Sequence, residues 1–138
     1  MSKDPASEGW KKLPMDAGFE HHIGPLWSKL IAPGRMRFGF LAGPHHVNPY
    51  NVVHGGMLVT FADHVMGALV WYVAGKKPCT TVTLNSDFAS SARTGDWIEG
   101  EAWLVRKGRS LIFVRGEISV AARVVLAATG VWKVMDGQ

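Results

Sequence analysis

The chain has 138 residues, enough for one hydrophobic core and too few for two domains of ordinary size. Apolar residues make up 47% and charged residues 19%, which excludes a disordered chain, and a single cysteine, Cys79, excludes an internal disulfide framework or a thiolate zinc cluster and fits a reducing compartment. The net charge of +4 comes from scattered basic residues, no run approaches the roughly 20 apolar residues of a membrane span, and the N-terminus lacks a signal-peptide core; the expectation is a cytoplasmic domain with neither nucleic-acid nor membrane partner.

Met1 to Glu8 is polar and reads as a mobile tail on a single domain covering 1–138. Asp16 to Leu30 is ambiguous, with His21-His22-Ile23-Gly24-Pro25-Leu26-Trp27 suggesting a short helix or turn. From Arg35 the pattern alternates, Met36, Phe38 and Phe40 against Arg35, Arg37 and Gly39, the period of a half-buried strand. Gly43 to Val53 is a loop rich in Pro, His and Asn. Between His54 and Ala74 apolar residues cover every side of a helical wheel, which predicts a helix of about 20 residues and about 30 Å, buried nearly all round. Gly75, Lys76, Lys77 and Pro78 end it.

The period then becomes two. Thr80, Val82, Leu84, Ser86 and Phe88 oppose Thr81, Thr83, Asn85 and Asp87; a turn at Thr94-Gly95-Asp96 precedes a strand from Trp97 to Val105. After a turn at Lys107-Gly108, Leu111, Phe113 and Arg115 alternate with Ile112, Val114, Gly116, Ile118 and Val120, and an apolar run from Val124 to Val134 closes the chain. A strand, a long helix and four strands joined by tight turns predict an α+β fold, an antiparallel meander around one central helix.

Two features do not belong to a plain core. Asp63 is an acid among apolar helical turns, where a carboxylate pays a desolvation penalty unless something satisfies or uses it. His54-Gly55-Gly56 opens the same helix without bulk, where free N–H groups and the positive end of the dipole can polarise a carbonyl; the plain alternatives are a satisfied buried acid and a glycine turn into a packed helix. Gly55 and Asp63 are eight residues apart, about 12 Å along the axis, too far to act on one carbonyl. If both serve one reaction, a second antiparallel copy of the helix must supply one of them, as a two-fold dimer would.

Asn48, His54-Gly55-Gly56, Asp63 nine residues after the histidine, the run TTVTLNSDF and a TGD turn together resemble the hotdog-fold acyl-CoA thioesterases, most closely the phenylacetyl-CoA (PaaI-like) type within the 4-hydroxybenzoyl-CoA thioesterase superfamily. The likeness runs from about Arg35 to Lys133. It implies a sheet wrapped around the long helix, dimers with a continuous sheet, a homotetramer made of two such dimers, and hydrolysis of an acyl-CoA substrate without cofactor or metal. Carried over by position, Asp63 matches the general base or nucleophile, Gly55 the N–H that polarises the thioester carbonyl from the opposite subunit, and Asn48 the side chain assisting there. His54 matches the residue supporting that loop or the thiolate side, and Thr81 falls where a Ser or Thr orients the water.

Asn51 stands where the family often has Gly, a change that a positive φ at Asn accommodates. Ser90-Ser91 replaces a common Arg-Pro pair that borders the CoA nucleotide. Arg93, Arg106, Lys107 and Arg109 are candidates for CoA phosphates, against the plain reading of solvated turns. A metal site pooled from His45, His46, His54, Asp63 and His64 is disfavoured, since His54 and His64 lie about 15 Å apart along the helix. Asn48-Pro49 only loosely resembles a hydratase loop. A non-catalytic acyl-CoA sensor on the same fold is the rival from another class, and it would have no need of Asp63.

Overall fold

A computed structural model of the protein describes residues 4–135. Its seven strands are β1 (Lys11–Lys12), β2 (Trp27–Ala32), β3 (Arg35–Leu41), β4 (Cys79–Phe88), β5 (Trp97–Lys107), β6 (Leu111–Val120) and β7 (Arg123–Val134), with helices α1 (Phe19–Ile23) and α2 (Gly55–Val73). They form one antiparallel sheet in the order β1-β2-β3-β5-β6-β7-β4, with α2 lying across β5 and β6 and touching β4 and β7. The predicted helix and the antiparallel α+β architecture are both present.

The α2 core face is Met57, Leu58, Phe61, Ala62, Val65, Met66 and Val70, all buried, spaced at three and four residues. By length and hydropathy α2 is apolar enough to cross a bilayer, yet this face is packed onto the sheet. The sheet meets it with Gly100 and Gly116. A β-carbon on Gly100 would lie 2.9 Å from Val65 and 3.1 Å from Phe61, and one on Gly116 would lie 2.8 Å from Met66, so these glycines let the helix settle close. Ile98, Ile112, Val114, Ile118 and Leu126 complete the layer, each essentially inaccessible. Truncating a residue as enclosed as Phe61 to Ala costs about 3–5 kcal/mol.

Several expectations are corrected. The four strands after α2 are not one meander: β5, β6 and β7 are, but β4 crosses to pair with β7 at the sheet edge, through the connection 89–96. The other edge carries β1 and β2, which the alternation did not reveal, because β2 buries Ser28 and exposes Leu30, the reverse of the usual polarity. Within β3, Phe38 and Phe40 are buried while Met36 is not. In β4 a bulge between Thr81 and Thr83 breaks the expected alternation, and Thr81 joins Leu84, Ser86 and Phe88 on the helix side, opposite Trp132, Gly130, Ala128 and Leu126 of β7.

Nor is α2 buried all round. Trp71 and Tyr72 are about half exposed, and Asp63, Gly67 and Val59 are only partly covered, because β4 is the last strand of the sheet and none of the described residues forms a strand beyond it. Of the polar start, Pro5–Glu8 forms one 3-10 turn capped by Asp4, and Trp10 packs edge-on against Trp97 at 5.0 Å; Met1, Ser2 and Lys3 lie outside the described residues.

The far face of the sheet holds a charged cluster. Glu101 is almost fully covered by Arg35, which grips both its oxygens, and by Arg37, whose Nη2 donates to Oε1 at 3.2 Å. Burial alone would raise its pKa, but the two guanidiniums outweigh that and hold the carboxyl below its ordinary value.

Candidate active site

The loop before α2 is built by local side-chain bonds. Asn48 Oδ1 accepts the N–H groups of Tyr50 at 2.9 Å and Val52 at 3.1 Å, closing an Asx turn. Asn51 adopts φ 61°, the left-handed conformation that asparagine tolerates, and its Oδ1 accepts the Thr94 hydroxyl at 2.7 Å. His46 is buried beneath the loop: Nδ1 accepts Gly43 N–H at 2.9 Å, Nε2 donates to the Ile23 carbonyl at 2.6 Å, and its own carbonyl accepts His54 N–H at 2.8 Å. Burial lowers its pKa below the ordinary value, the Ile23 carbonyl pulling the other way and His45 adding to the lowering.

His54 is the N-cap of α2. Its Nδ1 accepts Gly56 N–H at 2.8 Å, and its carbonyl accepts Met57 N–H and Leu58 N–H. Gly55 N–H is left without an acceptor among the described residues, at the positive end of a 19-residue helix. The ring of Phe88 stands beside it, 3.2 Å from where a Gly55 β-carbon would be.

Two turns on, Asp63 points to β4, where the Thr81 hydroxyl donates to Oδ1 at 2.7 Å. The bulge that turns Thr81 inward makes this contact, and the second carboxylate oxygen remains for another donor. Asp63 and Thr81 are thus brought together, and so are Asn48, His54 and Gly55, as two groups at separate levels of one helix. His64, next to Asp63, turns the other way, toward Glu20 at 3.6 Å and the ring of Phe38. His45 Nε2 contacts the Gly24 carbonyl at 3.0 Å.

The four basic candidates are not neighbours in one chain. Arg93 lies beside Val52 near the start of α2, while Arg106, Lys107 and Arg109 lie at the β5–β6 hairpin, the length of a strand away. Where the Arg-Pro pair was absent, a guanidinium arrives from elsewhere: Arg123 Nη1 donates to Ser90 Oγ and to the Ser91 carbonyl, both at 2.7 Å. Distance in sequence hid Arg123, and cross-strand register hid Trp132, which stands opposite Thr81.

The family model described as Thioesterase superfamily matches residues 50–127. A phenylacetic acid degradation-related protein of Ralstonia eutropha JMP134 is similar in structure, with TM-score 0.71 and 31% identity over 78% of this chain and 83% of that one. The BH2602 protein of Bacillus halodurans, solved with CoA, has TM-score 0.70 and 27% identity over 80% of this chain and 74% of that one. Human acyl-coenzyme A thioesterase 13 is 24% identical over 120 residues, 87% of this chain and 86% of its own length. With α2 set across an antiparallel sheet, the chain is a hotdog-fold thioester hydrolase and belongs to the thioesterase superfamily.

Proposed function

We propose that the protein hydrolyses acyl-CoA thioesters at a site shared between two chains. The observation that carries this is the division of α2: an acid oriented by Thr81 at one level, an unclaimed N–H at Gly55 about 12 Å away, and an open β4 edge beside both. Pairing of β4 with its copy about a two-fold axis sets a second α2 antiparallel to the first, so that each Asp63 faces the partner subunit's Gly55. Exposed Val82, Phe88 and Trp71 along this edge are the apolar surface such pairing covers.

In that arrangement the thioester oxygen meets the Gly55 N–H and the helix dipole, which favour the negative charge it develops. Asp63, with one oxygen held by Thr81, uses the other to take a proton from water as it attacks, or attacks the carbonyl carbon itself; either route ends in free acid and CoA thiol. His54 keeps the N-terminus in register through its cap, and the Asn48 amide, its oxygen committed to the turn, retains N–H donors. Arg93 and Arg123 flank the entrance near Ser90-Ser91 and suit the CoA phosphates, with Arg106, Lys107 and Arg109 arriving from another chain. Dimers pairing again give the tetramer.

Thiol release from a panel of acyl-CoAs tests the assignment. Asp63→Asn is expected to lower kcat by roughly a hundredfold or more. Equal rates for the two proteins overturn it, and binding without turnover by the wild type identifies a sensor.

A further inference from the structure

A glycine well inside a helix costs about 1 kcal/mol relative to alanine, so Gly67 calls for a reason. Close packing does not supply one. The β-carbons of Gly100 and Gly116 would collide with the core, but one on Gly67 would meet a single atom within 4 Å outside the local helix backbone, Trp132 Nε1 at 3.7 Å. The direction in which a side chain would leave Gly67 is open.

That opening adjoins the reacting groups. Gly67 follows Asp63 by one turn on the same face of α2. Trp132 lies directly across the ladder from Thr81, whose hydroxyl holds the Asp63 carboxylate. Carboxylate, hydroxyl, missing side chain and indole edge are therefore contiguous. One turn before Asp63 the same face carries the bulk of Val59, and one turn beyond Gly67 it ends on Trp71, which is 47% exposed. Gly130 lets the indole lie flat on β7, since a β-carbon there would be 2.5 Å from the ring. On this face of α2, the gap among the described residues lies on the C-terminal side of the acid.

Resting on the hydrolase reading above, we infer that Gly67 sets the size limit of the acyl group and that Trp132 is the floor it crosses, with Trp71 at the far end. Acyl groups with bulk beyond the carbonyl, flat aromatic ones above all, pass over Gly67; acetyl stops short of it. Gly67 and Trp132 are then specificity residues and take no part in the proton transfers.

The experiment compares wild type, Gly67→Ala and Gly67→Leu on acetyl-CoA, hexanoyl-CoA and phenylacetyl-CoA, with mass in solution and melting temperature recorded for each protein. Gly67→Leu is expected to lower kcat/KM for phenylacetyl-CoA by about thirtyfold or more and for acetyl-CoA by less than about threefold, with Gly67→Ala between, in line with the worth of a few methylenes in an apolar pocket. Gly67→Ala makes only an ordinary contact with the indole and should fold as wild type does. The same panel is measured as calorimetric binding to Asp63→Asn protein with and without Gly67→Leu. If the chain binds acyl-CoAs without turning them over, the hydrolase reading fails while the acyl selectivity is still read. A uniform loss across the panel, or a change of assembly state with unchanged selectivity, makes Gly67 a packing contact and overturns the inference.

Discussion

The Thr81 hydroxyl reaches Asp63 Oδ1 at 2.7 Å from a strand that a single-residue bulge has turned over. Without the bulge, the period of β4 would aim Thr81 at the far face of the sheet. A hydrogen bond to a charged group is worth about 1.5–3 kcal/mol, which converts to roughly a ten- to hundredfold fall in kcat for Thr81→Val if that bond orients the base. Thr81→Ser should keep most of the rate. Steady-state kinetics of the two variants, with melting temperatures alongside, separate lost orientation from lost folding.

The His54 ring has a structural duty that is measurable apart from chemistry. Removing a helix cap costs about 0.5–2 kcal/mol, so His54→Ala should lower the urea midpoint accordingly, while His54→Asn, whose carbonyl reaches the same N–H, should recover most of it. A rate loss persisting in a stable His54→Asn protein marks a role for the ring beyond the cap.

Much of this was legible before the structure. The all-apolar turns of α2 with Asp63 in their midst, and the glycines after His54, pointed to the helix and to the two residues of the proposed site. Local patterns failed where partners are distant. Strand β2 buries Ser28 and exposes Leu30, so its sequence carries no period to find. The placement of β4 beside β7 depends on the crossing at 89–96, and the apparent burial of α2 overlooked that an edge strand covers only part of a helix. Arg123 reaches Ser90 across 33 positions, a relation that spacing does not encode.

His46 should make stability depend on pH. Its Nδ1 can accept Gly43 N–H only while the ring is neutral, and the face of His45 and the edge of Phe40 surround it. Its folded pKa lies below the ordinary 6.5, so the unfolded chain binds the proton more readily. The stabilisation is fully present above that value and is lost as pH falls below it toward the folded pKa. His46→Gln lacks this titration, so its deficit against wild type should be largest at pH 7.5 and shrink by pH 5 in paired urea titrations. A pH-independent deficit contradicts the neutral-ring bond.

Glu101 works with the same sign in a lower window. Its carboxyl is held below the ordinary 4.5 by Arg35 and Arg37 against the cost of burial, so its contribution is present above that pH and disappears on acidification. Because Arg35 and Arg37 are partly exposed, solvent screening keeps the loss from Glu101→Gln to about 1 kcal/mol at pH 7, and it should shrink progressively as pH falls below 4.5. Activity at pH 7 should be unchanged, since the cluster lies on the opposite face of the sheet from α2.

Gly55 allows the reacting N–H to be deleted with little else disturbed. Proline is favoured at the first position of a helix, where it lacks only a hydrogen that has no acceptor among the described residues. His54, at φ −57° and ψ 134°, already has the backbone that precedes proline. Gly55→Ala controls for the added β-carbon, which meets the Phe88 ring at 3.2 Å. Gly55→Pro is expected to stay within about 1 kcal/mol of wild-type stability and to lose roughly a hundred- to a thousandfold in kcat, as removal of an oxyanion donor does, while Gly55→Ala loses far less. Mixing Gly55→Pro with Asp63→Asn then tests the shared site. Random pairing makes half the dimers mixed, each with one intact site out of two, so activity should return to about a quarter of wild type. A site confined to one chain predicts no recovery from verified mixed dimers.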